Sequence, residues 1–359
     1  MNLEEKLIHN RYVFSRKPVM IYWEMTQACD LACKHCRAEA IPDRHPLELT
    51  TDEGKRLLSQ LREFGDPSPH LVMTGGDALK RPDLFELIEY GVSIGLKISV
   101  APSATNHLTP DVIRRFKELG VLSMSLSLDG STREKHDEFR GVDGVYDMTI
   151  KAAEEIKKVG IPLQVNTLVS KETYDDIPAI FEVVKDFAVV RWSLFFLIQV
   201  GRGKVLNQIT PVEAENLLIW LYEKSREVKF AIATTEAPHY RRVAFERMIQ
   251  AGMSVEEILK TPIGRGFGIR DGNGVMFISH IGDIYPSGFL PITAGNVRKD
   301  HPVEIYRNSK IFRRLRDYNE LKGKCGKCEF RAICGGARSR AFAATGDPFE
   351  SDPLCVYEP

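Results

Sequence analysis

Between Cys36 and Cys325 the chain has no cysteine. Disulfide-built secreted proteins spread cysteines in even numbers along the chain, and that pattern is missing here. Residues Met1 to Arg16 are charged and lack the apolar core of a secretory signal. No run approaches the ~18 apolar residues that a membrane span needs. An excess of one charge is also absent, since 49 Lys and Arg balance 49 Asp and Glu. Without a basic block or an aromatic-basic stripe, nucleic acid is not the expected partner. Low-complexity segments and internal repeats are lacking too. These absences point to a reducing, cytoplasmic setting in which thiols serve as metal ligands.

What cysteine there is falls in two groups. Cys29, Cys33 and Cys36 lie within eight residues, spaced C-x3-C-x2-C, just after the apolar run Val19-Met20-Ile21-Tyr22-Trp23. Three thiolates can hold a 4Fe-4S cluster but cap only three of its irons. The fourth iron is left open, which suits chemistry better than simple electron carriage. Cys325, Cys328, Cys334 and Cys355 follow the pattern C-x2-C-x5-C-x20-C. Four thiolates close a site completely, and they suit either a tetrahedral structural zinc or a second cluster.

The 359 residues exceed one ordinary core, so a large domain plus a smaller one is expected. From 19 to 200 the chain alternates strand-like runs (19–25, 70–74, 96–101, 121–128, 162–169, 189–198) with amphipathic helical stretches (51–64, 82–94, 110–119, 146–159, 175–187). Thr50-Thr51-Asp52-Glu53 reads as a helix start. Strands alternating with helices imply a parallel sheet with right-handed crossovers. The expected fold is α/β, a six-stranded (β/α)6 partial TIM barrel followed by an irregular Fe-S cluster domain. Its expected parts are an N-terminal segment (1–18), the barrel (19–200), a helical connecting region (201–270) and the cluster domain (271–359). Parallel barrels carry chemistry at the C-terminal ends of their strands. The cysteine triplet, Gly75-Gly76-Asp77, Ser103-Ala104-Thr105-Asn106, Ser127-Leu128-Asp129-Gly130, Asn166 and Gln199 all fall there. Residues 275–286 read as a hairpin, and 323–359 as too irregular to hold itself without metal.

The triplet after a first strand, followed by a Gly-Gly-acid turn after the second, resembles the radical S-adenosylmethionine (SAM) enzymes. The four-cysteine tail resembles their SPASM/Twitch auxiliary-cluster branch. The resemblance runs from about residue 18 to 357. It implies that the open iron binds the methionine part of SAM. One electron then breaks the C5′–S bond, and the 5′-deoxyadenosyl radical abstracts hydrogen from a substrate. An electron donor such as flavodoxin or ferredoxin is implied as well. Carried over residue by residue, His35 packs near the adenine and Gly75 and Gly76 let backbone approach closely. Asp77, where the family usually has Glu, accepts from SAM's ammonium or leaves that to backbone carbonyls. Ser127 and Asn166 face the ribose, and Arg140 pairs with SAM's carboxylate. Asp129-Gly130 reads as a turn. Pro238-His239-Tyr240-Arg241-Arg242 offers His239 and Tyr240 as groups for proton transfer or anion binding, or else starts a helix with an exposed basic face. Gly201-Arg202-Gly203-Lys204 and Gly264-Arg265-Gly266-Phe267-Gly268 lack the context of nucleotide loops, and Asp271-Gly272-Asn273-Gly274 reads as a hairpin turn.

One departure from the family narrows the reading. Full SPASM domains place a further cysteine after a Gly-x-x-x-Pro stretch, and here Ser287 follows Gly282-Asp283-Ile284-Tyr285-Pro286. One auxiliary cluster is therefore expected. The pattern is similar to that of the enzymes of the alternative heme pathway and of denitrifier heme synthesis. Those modify tetrapyrrole side chains, so hydrogen abstraction beside a carboxylate with loss of CO2 is the expected reaction. A peptide maturase is the rival; only about 18 residues precede the first strand, too few for a fused leader-binding domain. From a different class, a non-catalytic Fe-S or zinc-binding module remains.

Overall fold

The computed structural model describes residues 14–359, so most of the expected N-terminal segment lies outside the described residues. The strands are β1 (Met20–Glu24), β2 (His70–Thr74), β3 (Lys97–Val100), β4 (Met124–Ser127), β5 (Leu163–Val169), β6 (Val189–Phe196), β7 (Ala231–Thr235), β8 (Val275–Ile278), β9 (Asp283–Tyr285) and β10 (Gly295–Asn296). They form one sheet in the order β10-β9-β8-β1-β2-β3-β4-β5-β6-β7. Neighbours from β8 through β1 to β7 are parallel, while β9 and β10 run antiparallel.

The six expected strands stand in the expected order. The sheet then goes further at both edges. β7, from a stretch expected to be helical, pairs with β6. The first strand of the hairpin pairs with β1 as well as with β9, Met20 opposite Val275 and Trp23 opposite Ile278.

Local chemistry explains the helices. Thr50 and Thr210 each close a capping box with a glutamate three residues on, starting helices Thr51–Arg62 and Pro211–Ser225. Thr109 caps helix Pro110–Glu118 ahead of a proline at its first position. Along the strands, alternate residues such as Ile21, Trp23, Leu71 and Met73 are buried against these helices. The residues between them, Tyr22, His70, Val72, Ser125, Gln164 and Asn166, are only partly covered and largely polar. This face of the sheet is thus more polar than the one packed against the helices.

Behind the sheet, Phe181 is 1% exposed, with its ring centroid 5.6 Å from Trp192 and 5.5 Å from Trp220. At the other end of the chain, helix Arg338–Thr345 carries Arg338 and Arg340, both wholly buried. Arg338 donates to the carbonyls of Gly336, Pro348 and Glu350 at 3.1, 3.0 and 2.7 Å. The irregular tail thus has a guanidinium frame in addition to its thiols. Truncating Phe181 to Ala should cost roughly 3–5 kcal/mol, read as a lower urea midpoint of the anaerobic protein. An unchanged midpoint would mean that this aromatic layer does not hold the helices to the sheet.

Candidate functional site

The loop after β1 brings the triplet to the C-terminal edge of the sheet, and backbone contacts fix it there. Gly76 donates to the Thr26 carbonyl at 2.8 Å and Asp77 to the Ala28 carbonyl at 2.7 Å. A Cβ on Gly76 would lie 2.4 Å from the Ala28 oxygen, and one on Gly75 2.6 Å from the Thr26 oxygen. Glycine is required because the cysteine loop itself passes over this turn. From the far side, Arg202 donates its backbone N–H to Cys36 and its guanidinium to the carbonyls of Cys33 and Ala40, at 3.0, 3.0 and 3.1 Å. Gly201 (φ +53°) has the Cys36 and Arg37 carbonyl oxygens 2.5 Å from where a Cβ would be. The stretch 201–204, which reads in sequence as an idle loop, is a clamp.

All three thiols line a cavity of about 240 Å³ whose wall also includes His35, Gly75, Gly76, Ser127, Arg140 and Asn166. Ser127 and Asn166 are paired across β4 and β5. The His35 ring stacks on Phe139 at 5.1 Å, and its Nδ1 has no hydrogen-bond partner. Burial pushes the His35 pKa down to about 4, so the ring is neutral near pH 7. Asp77 is the exception among the expected contacts. It is wholly buried, absent from the cavity wall, and accepts from Leu79 N, Ser103 N and Thr105 Oγ1 at 3.1, 3.3 and 2.9 Å. Of the two expected readings, a direct contact or one left to backbone carbonyls, the internal donors on both carboxylate oxygens favour the second.

Asp129, read in sequence as a turn, also lines the cavity and forms an ion pair with Arg140. Burial alone would raise its pKa, but the Arg140 guanidinium, together with His35, His136 and the Leu168 N–H, holds the carboxyl below its usual range. Arg140 Nη1 in turn lies 3.6 Å from the Cys33 sulfur. A chain Asp129–Arg140–Cys33 thus fixes a cation beside the thiols. No local sequence signal announces it, because Asp129 and Arg140 meet only once helix Arg133–Arg140 folds back on the turn after β4, where Asp129 N donates to His136 Nδ1 at 3.1 Å.

Cys325, Cys328, Cys334 and Cys355 line a second cavity together with His239, Arg242 and Tyr357. Its space is about 30 Å³, more than the roughly 10–15 Å³ that one water needs. The Cys325 sulfur accepts from Asp352 N and Arg338 Nη2 at 3.4 and 3.6 Å, and the Cys334 sulfur from Gly336 N at 3.5 Å. Such donors stabilise thiolate sulfur. Among the described residues no three His, Cys, Asp or Glu side chains converge as ligands of a single metal ion. Ser287, where full SPASM domains continue with cysteine, accepts from Phe289 N at 3.2 Å and so turns Phe289 toward the first cavity.

The expected proton-transfer pair does not reach the triplet. His239 and Tyr240 are both buried and absent from the wall of the first cavity. Tyr240 heads helix Tyr240–Gln250 and packs beside Tyr222 and Ser225. Arg242 is buried too, paired with Glu215 and Glu246, so the expected exposed basic face is absent.

Comparison with known proteins accords with this geometry. The model of the Radical SAM superfamily matches residues 23–184. An AdoMet-dependent heme synthase of Methanosarcina barkeri is 39% identical over 342 residues, covering 95% of this chain and 97% of that protein. The chain belongs to the radical SAM superfamily. It is also 28% identical to a pre-heme d1 synthase of Dinoroseobacter shibae, over 94% of this chain and 86% of that one. In fold it is similar to SuiB of Streptococcus suis, with a TM-score of 0.73 at 18% identity, covering 98% of this chain and 81% of that one. The chain is a radical SAM enzyme, with the 4Fe-4S cluster and SAM that membership entails. Replacing Gly76 by Ala should lower the iron and sulfide bound on anaerobic reconstitution, because the new methyl group pushes the cysteine loop off its turn. Wild-type content would show that the loop is not held there.

Proposed function

We propose that this radical SAM enzyme acts on a tetrapyrrole, abstracting hydrogen beside a propionate carboxylate so that CO2 is lost. The observation that carries this reading is the 39% identity with a heme synthase along 97% of that protein. Supporting it, the first cavity has an apolar side, Phe195, Leu197, Ile198 and Phe289, and basic groups in Arg37 and Arg202. A flat apolar molecule bearing carboxylates suits such walls.

In this reading Cys29, Cys33 and Cys36 hold the cluster that binds SAM. Bound there, the cluster would supply the one electron that cleaves SAM and so the radical chemistry for taking hydrogen from substrate. Arg140, fixed by Asp129, holds SAM's carboxylate. His35, neutral and stacked on Phe139, sits against the adenine, while Ser127 and Asn166 serve the ribose. Loss of CO2 from a substrate radical also releases one electron, so an acceptor is needed. A second cluster on Cys325, Cys328, Cys334 and Cys355 would supply that redox capacity. The regions then divide as barrel (19–200), connecting region (201–270) and auxiliary domain (271–359). A flavodoxin or ferredoxin in the cytoplasm is the proposed electron donor. Among the described residues no helix is long and apolar enough to cross a membrane.

Anaerobic protein incubated with SAM, dithionite and an iron porphyrin bearing propionates should release 5′-deoxyadenosine. It should also give products lighter by CO2 and two hydrogens per propionate. Deoxyadenosine formation with peptides but never with porphyrins would overturn the tetrapyrrole reading. Cys33→Ala should abolish SAM cleavage. Cys328→Ala should retain some cleavage but lose product or solubility, and unchanged yield and solubility would remove the tail as a metal site.

A further inference from the structure

His239 is 1% exposed, and neither ring nitrogen has a hydrogen-bond partner. A buried imidazole left unpaired is costly, so the site calls for a partner. The nearest carboxylate does not supply it: Asp352 Oδ2 is 3.9 Å from Nδ1, and that carboxylate already accepts from Ala337 N and Leu354 N at 2.8 and 3.0 Å. Arg340 lies on the same carboxylate at 3.3 Å. His239 is, however, among the residues that line the four-cysteine cavity. Cys325 and Cys334 already have donors from Asp352, Arg338 and Gly336. On the other side, the His239 ring meets Phe196 edge-on at 6.3 Å, and Phe196 lines the first cavity. His239 thus lines one cavity and touches a residue that lines the other.

We propose that His239 donates a hydrogen bond to the metal–sulfur group held by Cys325, Cys328, Cys334 and Cys355, and thereby sets how readily that group accepts an electron. The inference rests on the auxiliary-cluster reading above. A donor to cluster sulfur favours the more negative, reduced state and raises the potential. His239 is a positioning residue here, since it touches neither SAM nor substrate.

The test uses the full chain with Cys29, Cys33 and Cys36 all replaced by Ala, so that only the C-terminal site holds iron. Redox titration followed by EPR compares this protein with its His239→Phe and His239→Gln forms. In the Phe form the reduced-to-oxidised ratio at a fixed potential should fall about tenfold, the scale of one hydrogen bond to a charged group, and the EPR signal should shift. Gln, which keeps a donor, should restore most of the ratio. An unchanged ratio and signal in the Phe form, with iron content intact, would overturn the inference alone. Zinc in place of iron in the parent protein would overturn the auxiliary cluster and the inference with it. If the Phe form does not fold, a Gln form indistinguishable in ratio and signal from His239→Leu would equally overturn it.

Discussion

The segment from Cys29 to Cys36 contains neither helix nor strand, so its shape is imposed from outside. Everything at the mouth of the barrel depends on that imposition. Two glycines after β2 let its backbone pass within hydrogen-bonding distance, and the turn they make is stiffened by the buried Asp77. The carbonyls that end helix Arg133–Arg140 take up the N–H groups of Ala32 and Lys34, at 3.2 and 3.0 Å. Arg202 then pins the outer half. A loop held on three sides has few states left to explore, and preorganised ligands do not have to be ordered when a cofactor binds.

Electrostatics around the loop follow the same economy. Arg140 is desolvated, yet Asp129 keeps it company and the Cys33 sulfur lies within its reach. Breaking such a buried pair leaves an uncompensated charge, so each partner holds the other in place. Arg37, next in sequence to Cys36, is held by Glu24, which also takes a hydrogen bond from His280 at 2.6 Å. Through Glu24 the first loop is tied to the end of β8, and through Arg202 to the end of β6.

Much of this was readable from residue order, for physical reasons that also mark where reading stops. The six barrel strands are apolar runs between strong local stop and start signals such as Thr50, Thr109 and Thr210, and local chemistry is what sequence displays. β7, Ala231-Ile232-Ala233-Thr234-Thr235, has one bulky apolar residue and so gives almost no pattern, and only pairing with β6 makes it a strand. The hairpin 275–286 is visible from its own turn, but its parallel partner lies some two hundred and fifty residues earlier. The cysteines declare themselves by spacing alone. Asp129 and Arg202 do not, because their partners are brought to them by packing. Asp77 falls at the turn as expected, but its three internal donors are brought to it by the fold and cannot be counted from one dimension.

The parallel pairing of β8 with β1 has a consequence for how the chain comes together. β1 is near the start of the chain and one of its two edges stays bare until residues 275–278 arrive. The last quarter of the sequence is thus no detachable appendage. A shortened chain would be left with an open strand flank inviting pairing with other molecules. During synthesis the first strand stays half-satisfied until residues 275–278 have been made and can reach it.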